Sequence, residues 1–411
     1  MKWFFAIIIG LVVTSCCIER PKITCYYSDG TKITDSTHLR LIYRELPHLL
    51  SRERIDSADL KIYTSLKPNV NKALTYETIR LQDSIYPYIK WEHRETKAWL
   101  DSLKTLNQFL NVGVVAIDNK TGQVVIHYSS KSNSSGDFVT NRGSIGGMNK
   151  TLLYALAMQK EFTPYDRYPQ MKQVPDGDYA LIPDSSINRS FLMSFRIAFG
   201  EPSRGLSERY SLNEAKKFLH QLGLNNEHVS QGVLFFDNQL SLLDLTKTWS
   251  AFHNKGIRNE PTVINRIVDR RGRELYHRKL HSKRVLDEET TGEILQLLDH
   301  YSNRGVGAVI AHRYENVPAY LCNFGRIATR NGSGIFIAIT KNHTIGVRCV
   351  PSFQNIRIHH PFNANVIPFT VPLWLKSLEK LQQNKPKEKD ELTPLYRYVT
   401  VLENEIPEIE I

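Results

Sequence analysis

The chain has 411 residues, enough for one large domain or two to three ordinary ones. Its hydrophobic fraction of 41% and charged fraction of 23% are those of a folded globular protein and exclude a disordered one. The formal charge of +11 favours contact with phospholipid head groups, cell-wall carboxylates or nucleic acid without choosing among them.

At the N-terminus, Met1-Lys2 precedes an apolar run from Trp3 to Val13, then Thr14-Ser15-Cys16. A lysine, a short apolar stretch and small residues form a secretory signal. The run is shorter than the roughly 20 residues that cross a bilayer. Val13-Thr14-Ser15-Cys16 resembles a bacterial lipobox. That resemblance implies a signal peptide over residues 1–15 and lipidation of Cys16. An uncleaved anchor or a plain secretory signal is the alternative. Cys25, Cys322 and Cys349 allow three single disulfide pairings outside the cytoplasm, and the sequence does not choose. There is no Cys-x-x-Cys and no Cys/His cluster with metal spacing, so neither metal nor cofactor is expected. His359-His360 reads as a solvated pair.

Asp29-Gly30 is a turn signal and Ile62-Tyr63-Thr64 a short strand. From Tyr76 to Leu110 apolar residues recur mostly at spacings of three and four, a helical pattern interrupted by Pro87. Val112 to Ile117 and Gln123 to Tyr128 flank a polar turn ending in Gly122, which reads as a hairpin. The loop Lys131 to Gly136 leads to a helix after Asn149. Thr163 to Pro183, with four prolines, reads as loop. Asp184-Ser185-Ser186 then reads as the cap of a helix from about Asn188 to Gly200. Helices follow at Ser211–Leu222 and Leu242–His253, then a hairpin from Thr262 to Tyr276 and a helix at Glu288–Tyr301. Strands are expected at Ala319–Cys322, Ile335–Thr340 and Ile345–Val350, and a closing helix at Leu373–Leu381. A charged linker, Lys385 to Glu391, leads to an acidic tail. This order predicts an α+β fold: an antiparallel sheet whose first strands pair with its last, flanked by helices, plus a helix-rich subdomain. The expected divisions are 16–110, 111–382 and a tail at 383–411.

Six stretches in the right order carry a resemblance to the transpeptidase domain of penicillin-binding proteins, relatives of the serine β-lactamases, especially the bifunctional class. They are "VGVVAIDNKTGQVV", "GSIGGMNKTLLYALAM", "SSINRSFLMSFRIAFG", "LSLLDLTKTWSAFHNKGIRNEPTVINRIVDRRGRELY", "TTGEILQLLDHYSNRGVG" and "IFIAITKNHTIGVRCV". The similarity covers roughly residues 111 to 375 and lacks the glycosyltransferase half.

The family's chemistry needs three motifs. In Ser-x-x-Lys the two residues share a helix face, so the amine can activate the hydroxyl as nucleophile. Aligned on Lys150, the serine position holds Gly147. Ser144, six residues before the lysine, reaches the cleft only by a different loop path. The second motif, Ser-x-Asn, has two registers: Ser186-Ile187-Asn188 spells it, whereas position along the chain favours Ala198-Phe199-Gly200, where it is lost. The third, Lys-Thr-Gly, falls near Arg326-Ile327-Ala328, where Arg326 alone could supply positive charge. Two literal matches, Lys120-Thr121-Gly122 and Ser377-Leu378-Glu379-Lys380, read as a turn and as part of the closing helix.

The resemblance therefore implies a non-catalytic lipoprotein of the bacterial cell envelope, facing the periplasm. It would bind peptidoglycan stem peptides or serve as a platform for a cell-wall synthesis enzyme. It would reach the membrane through its lipid anchor and have no nucleic-acid partner. The alternative is an active serine acyltransferase, a peptidoglycan D,D-transpeptidase or carboxypeptidase with a relocated nucleophile. The basic stretch Arg270 to Arg284 reads as a solvated hairpin, or else as a site for anionic polymers or lipid phosphates.

Overall fold

The computed structural model describes residues 22–85, 89–90, 98, 101, 110–130, 136–173, 181–196, 206, 209–224, 239–304, 325–326, 334–351, 357–358 and 367–382. The lipobox, the expected Ala319–Cys322 strand, most of the helical pattern after Pro87 and the charged tail lie outside them.

The chain enters through β1 (Ile23–Tyr26), α1 (Ser36–Glu45), β2 (Leu60–Thr64) and α2 (Val70–Ile85). Asp35 caps α1 by accepting from the amides of Thr37 and His38, so two of the helix's orphan donors are satisfied. The predicted hairpin follows as β3 (Leu110–Asp118) and β4 (Val124–Ser129). Next come β5 (Gly143–Ser144), α3 (Met148–Lys160), β6 (Arg167–Gln173), β7 (Leu181–Ser190) and α4 (Phe191–Arg196). Then α5 (Leu212–Gln221), β8 (Gln239–Leu240), α6 (Leu242–His253), β9 (Ile264–Asp269), β10 (Glu274–His277) and α7 (Glu288–Arg304) complete the middle of the chain. It closes with β11 (Gly325–Arg326), β12 (Gly334–Ile339), β13 (His343–Pro351) and α8 (Ile367–Gln382).

Two expectations fail between α3 and α4. Thr163 to Pro183 is not simply loop: β6 and β7 pair antiparallel across it, Gln173 opposite Leu181 and Arg167 opposite Ser190. Asp184-Ser185-Ser186 is not a helix cap but the middle of β7, and the helix begins at Phe191 instead of Asn188. A two-stranded ribbon consists of two edges, so Pro169 and Pro183 can sit in it. Prolines that read as loop punctuation therefore concealed a strand pair.

The central sheet has the order β11-β12-β13-β3-β4, antiparallel throughout. The last long strand lies against the first: Val347 pairs with Val114 and Cys349 with Val112. All six residues of β12 and eight of the nine in β3 are buried, as a sheet covered on both faces requires. On one face α8 lies beside α2, with Trp374 edge-on to Phe336 at 5.8 Å. On the other face α6 crosses β13 so closely that a Cβ at Gly346 would lie 2.2 Å from Thr246 Oγ1. The mixed α+β architecture matches the reading of the sequence. Among the described residues no helix is long and apolar enough to cross a membrane.

A second sheet, β1-β2-β9-β10, joins strands from both sides of residue 110. Side chains of α1 link it to the main body. Glu45 accepts from the amides of Val263 at 2.9 Å and Ile264 at 3.2 Å. His38 donates through Nε2 to the carbonyl of His127 in β4 at 2.8 Å, which leaves Nδ1 to accept from Tyr27 at 3.1 Å. The two described cysteines, Cys25 and Cys349, are buried, and burial raises both pKa values, that of Cys25 to about 11.

On α7, burial and then the nearby charges of Glu289, Asp287 and Asp166 raise the pKa of Glu293 from 4.5 to about 7. A carboxyl whose folded pKa is raised stabilises the fold below its unfolded value. That contribution fades as pH climbs through the folded value. The variant Glu293→Gln keeps the neutral form at every pH. Its thermal midpoint relative to wild type is therefore expected to rise between pH 4.5 and 7, and melting curves at either end of that window check this.

Candidate functional site

The segment "GSIGGMNK" sits where several elements meet. Gly146 takes φ +51, a conformation that glycine adopts without strain. Gly147 is the N-cap of α3 with φ −62 and ψ −12 and makes no side-chain cap. The amide of Lys150 donates to the carbonyl of Gly147 at 3.2 Å, so glycine and lysine are stacked one turn apart. Lys150 is half-buried. Beyond it α3 is buried almost all round, from Thr151 to Met158. Tyr154 packs on Phe191 and Phe195 of α4 at 5.4 and 5.2 Å.

Arg326 lies in β11, the edge strand of the central sheet, with its backbone opposite Gly334 of β12. Helix α3 runs beside that edge, Cα atoms of the two elements approaching within 8 Å. The fold thus brings the first-motif helix and the strand of Arg326 side by side. Ser186 and Asn188 lie on β7, Asn188 opposite Pro169, in the strand that leads into α4. Ala198, Gly200, Ile327, Ala328 and Cys16 are outside the described residues.

The literal motif matches have structural roles. Lys120-Thr121-Gly122 is the β3–β4 turn, with Gly122 at φ +72 and its amide on the carbonyl of Asp118. Ser377 is buried in α8 and donates to the carbonyl of Leu373 at 2.8 Å. Among the described residues no group of three or more His, Cys, Asp or Glu is placed to hold a metal.

Sequence reading missed Arg348. It interrupts β13, and its side chain reaches the loop before α3, 7% exposed. The guanidinium faces the carbonyls of Asn141 at 3.3 Å, Ser144 at 3.4 Å and Leu240 at 3.5 Å. A Cβ at Gly143 would lie 2.0 Å from its Nη2, so the strand β5 passes directly over the cation. Burial lowers the arginine's pKa to about 10, still charged at neutral pH. Carbonyl dipoles compensate part of what desolvation costs. The available signal was a charged residue inside "IGVRCV", an otherwise apolar stretch destined for the middle of a sheet. Ser144 lends its carbonyl to this arrangement and pairs with Gln239 of β8.

With this geometry in hand, the chain can be compared with known proteins. A model of the penicillin-binding protein transpeptidase domain matches residues 112–321, just over half of the chain. The chain belongs to the penicillin-binding protein transpeptidase family. Among solved structures it is similar to penicillin-binding protein 1A from Haemophilus influenzae, with TM-score 0.65 and 12% identity over 87% of this chain and 71% of that one. It is also similar to PonA1 from Mycobacterium tuberculosis (0.64, 13%, covering 85% and 92%). A third is penicillin-binding protein 3 from the same organism (0.60, 14%, covering 90% and 98%). No curated protein matches the chain. At such identities the structures speak for the fold, while the family supports a peptidoglycan-related role in the cell envelope.

Replacing Arg348 by alanine opens a cavity and strands the carbonyls it faces. The expected loss is about 2–5 kcal/mol in urea unfolding. Arg348→Lys recovers only part of it, because one ammonium cannot span the same fork.

Proposed function

We propose that this protein is a non-catalytic member of the family. In this reading it is a lipoprotein anchored through Cys16 on the periplasmic side of a bacterial membrane, with residues 1–15 as signal peptide. The transpeptidase-like domain at 111–382 would bind peptidoglycan stem peptides or support a cell-wall synthesis enzyme, with 16–110 and the 383–411 tail as flanking regions. The observation that carries this reading is Gly147 at the start of α3, one turn before Lys150. Glycine offers no oxygen for the amine to activate, so no acyl-enzyme can form at that position. Ala198-Phe199-Gly200 as the second motif, and Arg326-Ile327-Ala328 in place of Lys-Thr-Gly, extend the same loss.

A fluorescent penicillin tests it. PonA1 has been solved with penicillin V, so a β-lactam is an apt probe of this fold. The full-length chain, with folding verified by circular dichroism, is expected to show no covalent adduct by gel fluorescence or intact mass. An adduct that vanishes in Ser144→Ala or in Ser186→Ala would overturn the reading in favour of a relocated nucleophile.

A further inference from the structure

We propose that the end of the small sheet where β1 enters, tipped by the β9–β10 turn, docks on an anionic phospholipid surface. The sheet's register brings the relevant groups together. Ile23, the first residue of β1, pairs with Leu60, and Leu60 pairs with Asp269, the last residue of β9. The turn Arg270-Arg271-Gly272-Arg273 therefore projects from the same end of the sheet as the incoming chain. Two strand spacings, about 10 Å, separate them.

The turn is built to hold its arginines outward. Gly272 takes φ +80, and Asp269 accepts from the amides of Arg271 at 2.8 Å and Arg273 at 2.9 Å. The same carboxylate takes Arg273 Nε at 2.7 Å. Its charge is thereby committed. Arg270 and Arg271 are exposed and make no ion pair among the described residues. Lys22 and Lys61 are exposed at the same end, Lys61 opposite both Thr24 and Val268. In and beside these strand ends stand Lys22, Lys61, Arg270, Arg271 and Arg273, against Asp269 and Asp59, whose carboxylate accepts from the amide of Lys22 at 2.8 Å.

The outer face of the sheet continues the theme. Tyr26 pairs with Tyr63, Tyr63 with Arg266, and Arg266 with His277, one row across all the strands. The tyrosine rings stack at 5.1 Å, and the Arg266 guanidinium lies 4.5 Å over Tyr63. Half-buried tyrosines beside cations suit the boundary between head groups and water.

The length of chain decides for a bilayer over a soluble polyanion. Cys16 is seven residues from Ile23, at most about 25 Å of extended chain. This step rests on the lipid-anchor reading. With Cys16 acylated, the basic end of the sheet is held beside the head groups, and short-range attraction acts at high effective concentration.

The test uses the full chain carrying Cys16→Ser, which cannot be acylated there. It is co-sedimented with phosphatidylcholine vesicles and with vesicles roughly one third phosphatidylglycerol. The excess binding on anionic vesicles is the readout, so any contribution from the apolar run Trp3–Val13 cancels. An excess is expected at low salt and is expected to vanish at about 0.5 M salt, where the Debye length is a few ångströms. Each basic residue near such a surface contributes about fivefold, so Arg270→Gln with Arg271→Gln lowers the excess on the order of 25-fold. Both residues are exposed, and an unchanged melting curve verifies the fold. Equal binding to both vesicles, an excess that survives salt, or an undiminished double variant overturns the proposal. So does capture by soluble polyglutamate without any excess on vesicles. Mass spectrometry of wild-type Cys16 tests the anchor separately: an unmodified thiol alongside an intact excess removes the anchor and leaves the docking.

Discussion

The pairing of β3 with β13 is the constraint on which the rest of the molecule depends. It joins Leu110–Asp118 to His343–Pro351, residues more than 200 positions apart, in nine consecutive pairs. Asn119, just past β3, clasps that join. Its side-chain amide donates to the carbonyl of Thr340 at 2.8 Å, and its oxygen accepts from Thr344 at 2.7 Å. Its backbone carbonyl accepts from the side-chain Nδ2 of Asn254 at the end of α6. One buried asparagine thus ties the first hairpin, the last hairpin and the helix under both. Once that sheet is closed, β11 is fixed at its edge and α3 beside it.

The start of α3 is supported from beneath by a cation. Arg348 projects from the closing strand to the carbonyls around β5, so the loop that delivers Gly147 and Lys150 is positioned by the same strand that closes the sheet. Among the described residues no carboxylate pairs with it, and a buried arginine of this kind is costly unless backbone dipoles surround it. Here it couples core closure to the geometry of the helix start.

Much of this was legible in the sequence where local and global preferences agree. The first hairpin and α6 stand where their patterns put them, and α6 ends at the turn Asn254-Lys255-Gly256. Lys255 and Gly256 take φ 55 and 80, and a Cβ at Gly256 would lie 2.2 Å from the carbonyl of Leu286. The β6–β7 ribbon was not legible, because its sequence carries prolines and little alternation, and its backbone pairing is not written in side-chain type. The partnership of β1 and β2 with β9 and β10 was equally hidden, since strand pairing across 200 residues leaves no local trace. Gly147 and Lys150 were singled out by order along the chain alone. Arg348 needed the third dimension: only the fold reveals that a side chain from "IGVRCV" reaches the loop ahead of α3.

Gly147 decides what the start of α3 can accept. Its neighbour Gly146 occupies backbone space that other residues enter at a cost, but Gly147, at φ −62, does not. Backbone geometry therefore sets no barrier to a side chain at this position. For a protein engineer, that makes position 147 a socket instead of a scar.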